Sequence, residues 1–307
     1  MTPLVSPALL ERLNSLGDHL KANILGQETV LDDIVLLLQR SFCGLRFPAR
    51  PMASMLFLGP TGTGKTETCN LFTQHLFDSP DKLVRLDMSE FQNQSALGVL
   101  VGDRVGERGL FGQYYDRSRR SGTLLFDEIE KAHPLVMDIF LQVLSAARFT
   151  LASGETLDLS NYIVCATTNI GSRLLMESRS TDRDTIERRA IQAGTQEMRP
   201  ETFARFQRHY VFSKLDYLTL RRVGQLHTEN VVRLFNAQGH SIAVDTSVVE
   251  CIQREGYSER FGARPMAEAA LRIIGDVVSQ EMLRNDGMPV QGTIHHDRRS
   301  NVCTLKQ

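Results

Sequence analysis

Gly59-Pro60-Thr61-Gly62-Thr63-Gly64-Lys65-Thr66 is the stretch whose reading decides the fold. It keeps the spacing G-x-x-x-x-G-K-[ST] and stands between an apolar run, Met55-Leu56-Phe57-Leu58, and a segment patterned as a helix. An unbroken apolar run ended by Gly reads as a strand covered on both faces, as in a parallel sheet. The glycines let backbone N–H groups turn inward around phosphate oxygens, and the helix that follows aims its N-terminal dipole at the same anion. In such a loop Lys65 reaches the β and γ phosphates and the Thr66 hydroxyl ligates Mg2+.

Outward from this loop, the segments 84–87, 124–127, 162–167 and 210–212 read as further strands with helices between them. That order predicts an α/β fold with a doubly wound parallel sheet. Residues 148–160 alternate around Ser153-Gly154 and read as a hairpin set before the fourth strand. Leu9, Leu10, Leu13, Leu16 and Leu20 recur at helical spacing, and 28–40 reads as a second helix. Beyond 213 the pattern changes to helices at 215–236, 247–253 and 265–284, a short strand at 241–244 and a closing hairpin at 292–305. The expected organisation is an N-terminal helix (1–22), a large domain (23–212) and a small, mostly helical C-terminal domain (213–307).

At 307 residues the chain has room for one large domain and a smaller one. Apolar residues at 42% and charged residues at 23% are ordinary for a globular protein that needs no staple. Lys plus Arg (35) nearly cancel Asp plus Glu (36), which excludes a strongly basic nucleic-acid coat. The five cysteines are scattered with no C-x-x-C pair, which fits a reducing compartment. No basic residue precedes an apolar block at the N-terminus, and the longest apolar stretch, 34–38, is too short to cross a bilayer. The expected location is the cytoplasm, with no membrane partner.

Leu124-Leu125-Phe126-Asp127-Glu128 is an apolar strand that delivers two carboxylates at its C-terminal end, where α/β folds bind ligands. Asp127 is the candidate to hold the magnesium, and Glu128 the candidate base for an attacking water.

Asp-Glu-Ile-Glu-Lys-Ala-His (127–133) beside the phosphate loop resembles the Clp-type AAA+ ATPases, in particular the second ATPase module of ClpB-like disaggregases. The likeness runs from about Ile24 to the C-terminus and includes Leu86-Asp87-Met88-Ser89-Glu90-Phe91 and the hairpin at 148–160. It implies ATP and Mg2+ as cofactors and hydrolysis of ATP to ADP and phosphate. Ile24 and Leu25 match the family's adenine-contacting loop, Asn169 its sensor 1, and Arg264, in Gly262-Ala263-Arg264-Pro265, its sensor 2. Arg205 takes the place of the arginine finger, which in this family enters the neighbouring subunit's site and so implies a homo-hexameric ring. Ala204 and Gln207 depart from the usual residues around that finger.

The family's pore loop carries an aromatic before Val-Gly. Here Arg104 precedes Val105 and Gly106. An aromatic wedges against many side chains, whereas Arg favours acidic or carbonyl partners, so the narrower expectations are an acidic or particular protein substrate or adaptor, a nucleic-acid strand, or a ring that changes shape without threading. No I-G-F or I-G-L peptidase-docking sequence lies between Gly171 and Pro200. Three readings follow: a ring ATPase that remodels a protein partner, a nucleotide-dependent assembly switch or timer, and a DNA-associated ATPase. The balanced charge and the lack of an evident DNA-reading module weigh against the third.

Overall fold

The computed structural model describes residues 5–102, 107–177, 182–258 and 261–306. The expected pore-loop residues Arg104, Val105 and Gly106 lie outside the described residues. Packing divides the chain into two compact units, Met1–Pro60 with Gly64–Lys214, and Thr61–Thr63 with Leu215–Gln307.

In chain order the first unit contains α1 (Pro7–Asn23), α2 (Glu28–Phe42), β1 (Ala53–Leu58), α3 (Lys65–Phe77), β2 (Leu83–Asp87), α4 (Ala96–Val101), α5 (Gly109–Arg117) and β3 (Gly122–Asp127). It continues with α6 (Pro134–Ala146), β4 (Arg148–Thr150), β5 (Thr156–Asp158), β6 (Tyr162–Thr168), α7 (Ser172–Glu177), α8 (Arg183–Glu197), α9 (Pro200–Phe203) and β7 (Arg208–Val211). The five long strands form one sheet in the order β2-β3-β6-β1-β7, and every pairing is parallel. The short strands β4 and β5 form the expected antiparallel hairpin.

Side chains on a strand alternate between faces, and here both faces are covered. Leu56, Leu58, Leu124, Phe126, Val164 and Ala166 pack into one core. Met55, Phe57, Leu125, Ile163 and Cys165 pack on the other, against apolar residues of α1, α2 and α3. This is why β1, β3 and β6 carry the apolar stretches 55–58, 124–126 and 162–166, with every residue of each strand buried. The parallel pairing brings the C-terminal ends of β1, β3 and β6 to one edge. The loops that leave this edge carry the site.

The second unit contains α10 (Tyr217–Ala237), β8 (Ser241–Val244), α11 (Thr246–Gly256), α12 (Met266–Arg284), β9 (Gln291–Asp297) and β10 (Val302–Lys306). Asp216 and Asp245 cap α10 and α11 by accepting hydrogen bonds from Thr219 N and Ser247 N. The closing hairpin β9–β10 is not alone. The strand β8 pairs parallel to β9, giving a three-stranded sheet with Ile242 and Ile294 buried beneath the helices.

Candidate active site

The loop after β1 is shaped by backbone that only glycine accommodates at two points. Gly59 has φ +141°, and a Cβ there would lie 2.3 Å from the Phe212 carbonyl oxygen. Gly64 has φ +99° and stands at the N-cap of α3, with Ile24 Cγ2 at 3.2 Å from where its Cβ would be. A glycine cap brings no side chain to cover the first N–H groups of the helix, which leaves them to face an anion. The same contact places Ile24 against the phosphate loop.

Ile24 is buried and Leu25 half-buried. Gln27 fixes their loop by grasping both backbone groups of Ser213: its amide donates to Ser213 O at 2.9 Å, and Ser213 N donates to its Oε1 at 3.1 Å.

Lys65 is buried and donates from Nζ to Gly59 O (2.5 Å), Pro60 O (2.8 Å) and Asn169 Oδ1 (3.2 Å). Burial lowers its pKa to about 8, against the opposing pull of Glu130, Asp127 and Glu128. The next residue, Thr66, donates from Oγ1 to Asp127, with Oδ1 at 3.1 Å and Oδ2 at 3.3 Å.

Asp127 is the last residue of β3 and is buried. Its Oδ1 also accepts from the Thr167 hydroxyl, and its Oδ2 pairs with Arg85 Nη2 at 2.6 Å. Glu128 follows in the left-handed region (φ +56°), uncommon for a residue with a Cβ. That conformation turns the chain sharply at the strand's end. The Glu128 N–H donates to Thr167 Oγ1 at 3.0 Å, so one hydroxyl fixes both acidic residues.

Asn169 sits one residue past β6 and joins the two halves of the site. Its Oδ1 accepts from Lys65, while its Nδ2 donates to Glu128 Oε1 at 3.2 Å. The backbone N–H of Asn169 donates to Glu130 Oε1 at 3.0 Å. Glu128 Oε2 forms an ion pair with Lys131, three residues on.

Lys65, Thr66, Asp127, Glu128 and Asn169 therefore form one hydrogen-bonded cluster at the sheet edge. Arg205 does not join it; the residue is exposed, just past α9. Arg264, in the second unit, is exposed and lies two residues before α12. Sequence reading missed Arg85, Thr167 and Lys131. Lys131 carries a local signal, three residues from Glu128 on a turn; Arg85 and Thr167 act across strands and carry none.

The donor set suits magnesium. A hydroxyl and a carboxylate side by side are hard oxygen ligands, and Mg2+ keeps waters and phosphates for its remaining positions.

The family model described as AAA domain (Cdc48 subfamily) matches residues 50–209. The model for the C-terminal D2-small domain of ClpB protein matches residues 215–295. The chain is 36% identical over 299 residues to Chaperone protein ClpB 2 of Nostoc sp., covering 94% of this chain and 34% of the relative. It is 35% identical over 303 residues to the ATP-dependent Clp protease ATP-binding subunit ClpC of Staphylococcus aureus, covering 94% and 37%. It thus spans about a third of the length of these relatives. Among solved structures, the S. cerevisiae Hsp104–ADP complex superposes with a TM-score of 0.85 at 26% identity, over 98% of this chain and 54% of that one.

Proposed function

The chain belongs to the AAA family, with a ClpB-type small domain following the ATPase domain, and from that premise we propose that it is a ring-forming ATP hydrolase that remodels a protein partner. The observation that carries this reading is the cluster itself: an ammonium, a hydroxyl, two carboxylates and an amide, delivered by three neighbouring strand ends. The relative named a chaperone and the one named an ATP-binding subunit support the same class.

Each residue has a role set by its chemistry. Lys65 gives up the carbonyls of Gly59 and Pro60 for the β and γ phosphates. Gly59, Pro60, Thr61, Gly62, Thr63 and Gly64 wrap the phosphates, while Ile24 and Leu25 cover the base. Thr66 and Asp127 would hold Mg2+, which would offset charge on the phosphate oxygens. Glu128 accepts a proton from the attacking water, and Asn169 holds that water beside the base. Arg264 reads the γ-phosphate from the small domain. Arg205, exposed on its own subunit, stabilises the transferring phosphoryl group of a neighbour's site in a six-membered ring. Residues 1–22, 23–212 and 213–307 serve as docking helix, ATPase domain and lid. The working location is the cytoplasm.

A second reading, a slow nucleotide-dependent timer, is favoured by one observation. Both carboxylate oxygens of Glu128 are engaged, by Lys131 and by Asn169, so the base must be released before it can act.

The test is Glu128→Gln. It should bind Mg-ATP, lose about a hundredfold or more in hydrolysis, and accumulate as a ring in size-exclusion chromatography and electron microscopy. A wild-type chain that neither hydrolyses ATP nor assembles in its presence would defeat the reading. A motor should lose partner remodelling in this variant, whereas a timer should hold its partner in the assembled state.

A further inference from the structure

Arg85 has no part in the roles above, yet it is bound to their central carboxylate. On β2, Val84 and Leu86 enter one core, which turns Arg85 to the opposite face of the sheet. Register sets Arg85 beside Leu125 and Asp87 beside Asp127, so the guanidinium reaches two residues along β3. It meets Asp127 Oδ2 at 2.6 Å, with side-chain exposures of 46% for Arg85 and 9% for Asp127.

Three elements thus hold one carboxylate. Arg85 of β2 takes Oδ2, Thr167 of β6 takes Oδ1, and Thr66 of α3 sits between them. A buried carboxylate without a counter-charge is costly, and here the counter-charge is built in. Mg2+ arriving at the Thr66–Asp127 corner would have to share that carboxylate with a guanidinium, and two cations this close repel. Phosphates bring the negative charge that makes room for both.

We propose that Arg85 is a positioning residue that orients Asp127 and weakens its hold on bare Mg2+, so that the metal enters only with the nucleotide. This rests on the reading of Thr66 and Asp127 as the metal's protein ligands.

The experiment uses the full chain. The fluorescence of bound N-methylanthraniloyl-ADP is followed as Mg2+ is titrated from a chelated start, and melting is recorded with Mg2+ alone. Arg85→Gln should lower the Mg2+ concentration at half-saturation by on the order of tenfold, and Mg2+ alone should now raise its melting temperature. Arg85→Lys, which keeps the charge, should stay within about twofold of wild type. A merely structural role would lower the melting temperature while leaving the metal requirement unchanged or raised. An unchanged or raised half-saturation in Arg85→Gln overturns the proposal. Should that variant not fold, Arg85→Met carries the same expectation; failure of both to fold overturns it too, because a half-exposed side chain needed only for its charge is replaceable. A wild-type chain whose nucleotide binding ignores Mg2+ overturns the reading of the Thr66–Asp127 corner, and this proposal with it. Normal Mg2+ dependence with an unshifted variant overturns this proposal alone.

Discussion

Lys65 shows how one residue can report on the site. Burial holds its ammonium at about 8, well below the value of a free lysine, so it loses its proton across the range where others keep theirs. A triphosphate favours the charged form. Binding above pH 8 must therefore bring a proton into the site, and nucleotide affinity should fall by up to about tenfold per pH unit from there. Calorimetry in buffers of different ionisation enthalpy should show uptake approaching one proton per site. The stability of the free chain runs the other way. The unfolded lysine binds its proton more tightly than the folded one, so this group adds stability as pH rises from about 8 toward the free-lysine value. An affinity that stays flat from pH 7 to pH 9.5 would show that Lys65 does not titrate as described. At this scale the phosphate loop and the Asp127-Glu128 pair were legible because each is contiguous and its chemistry is local. Arg85 was not, because its partner is set by strand register, which no single run of residues encodes.

Among elements, α1 carries more than its place at the chain's start suggests. Leu13, Leu16 and Leu20 are buried in the core that also holds α2, α3 and the inner face of β1. Arg12 donates to Leu76 O at 3.2 Å and pairs with Asp78 at 2.9 Å, and the His19 and His75 rings stack at 4.5 Å. All these contacts fall on α3 or just beyond its C-terminal end, so α1 braces the helix whose other end is capped by Gly64 of the glycine-rich loop. Leu16→Ala should cost about 2–5 kcal/mol, read as a lower denaturant midpoint by a probe in the first unit. A loss under 1 kcal/mol would mean α1 is only laid on the surface. The helical spacing of its leucines was plain in the sequence. Its docking site was not, since periodicity names the buried face and not what covers it. The same limit explains β8. Its few residues read as a strand, but the parallel partner β9 comes only after two intervening helices. Non-local pairing of that kind leaves no periodic trace.

For the whole molecule the decisive question is whether one chain holds a complete site. The cluster at the sheet edge is the proposed place of binding and activation, but Arg205, the candidate for charge stabilisation, is exposed elsewhere on the first unit. If it acts on a neighbour, two differently disabled chains should repair each other. Lys65→Ala removes a chain's own phosphate contact and leaves its finger. Arg205→Ala removes the finger and leaves the site. Alone, each should lose ATPase activity, the finger variant by about 10³–10⁵ if it matches other arginine fingers. Mixed in equal amounts and reassembled with nucleotide, a quarter of the interfaces pair an intact site with an intact finger. The mixture should then recover up to about a quarter of the wild-type rate if interfaces act independently. Recovery should grow with protein concentration, because the repaired site exists only where two chains meet. If the mixture is no more active than the sum of its parts while both variants still assemble, Arg205 serves its own subunit or none, and the ring is dispensable for the chemistry.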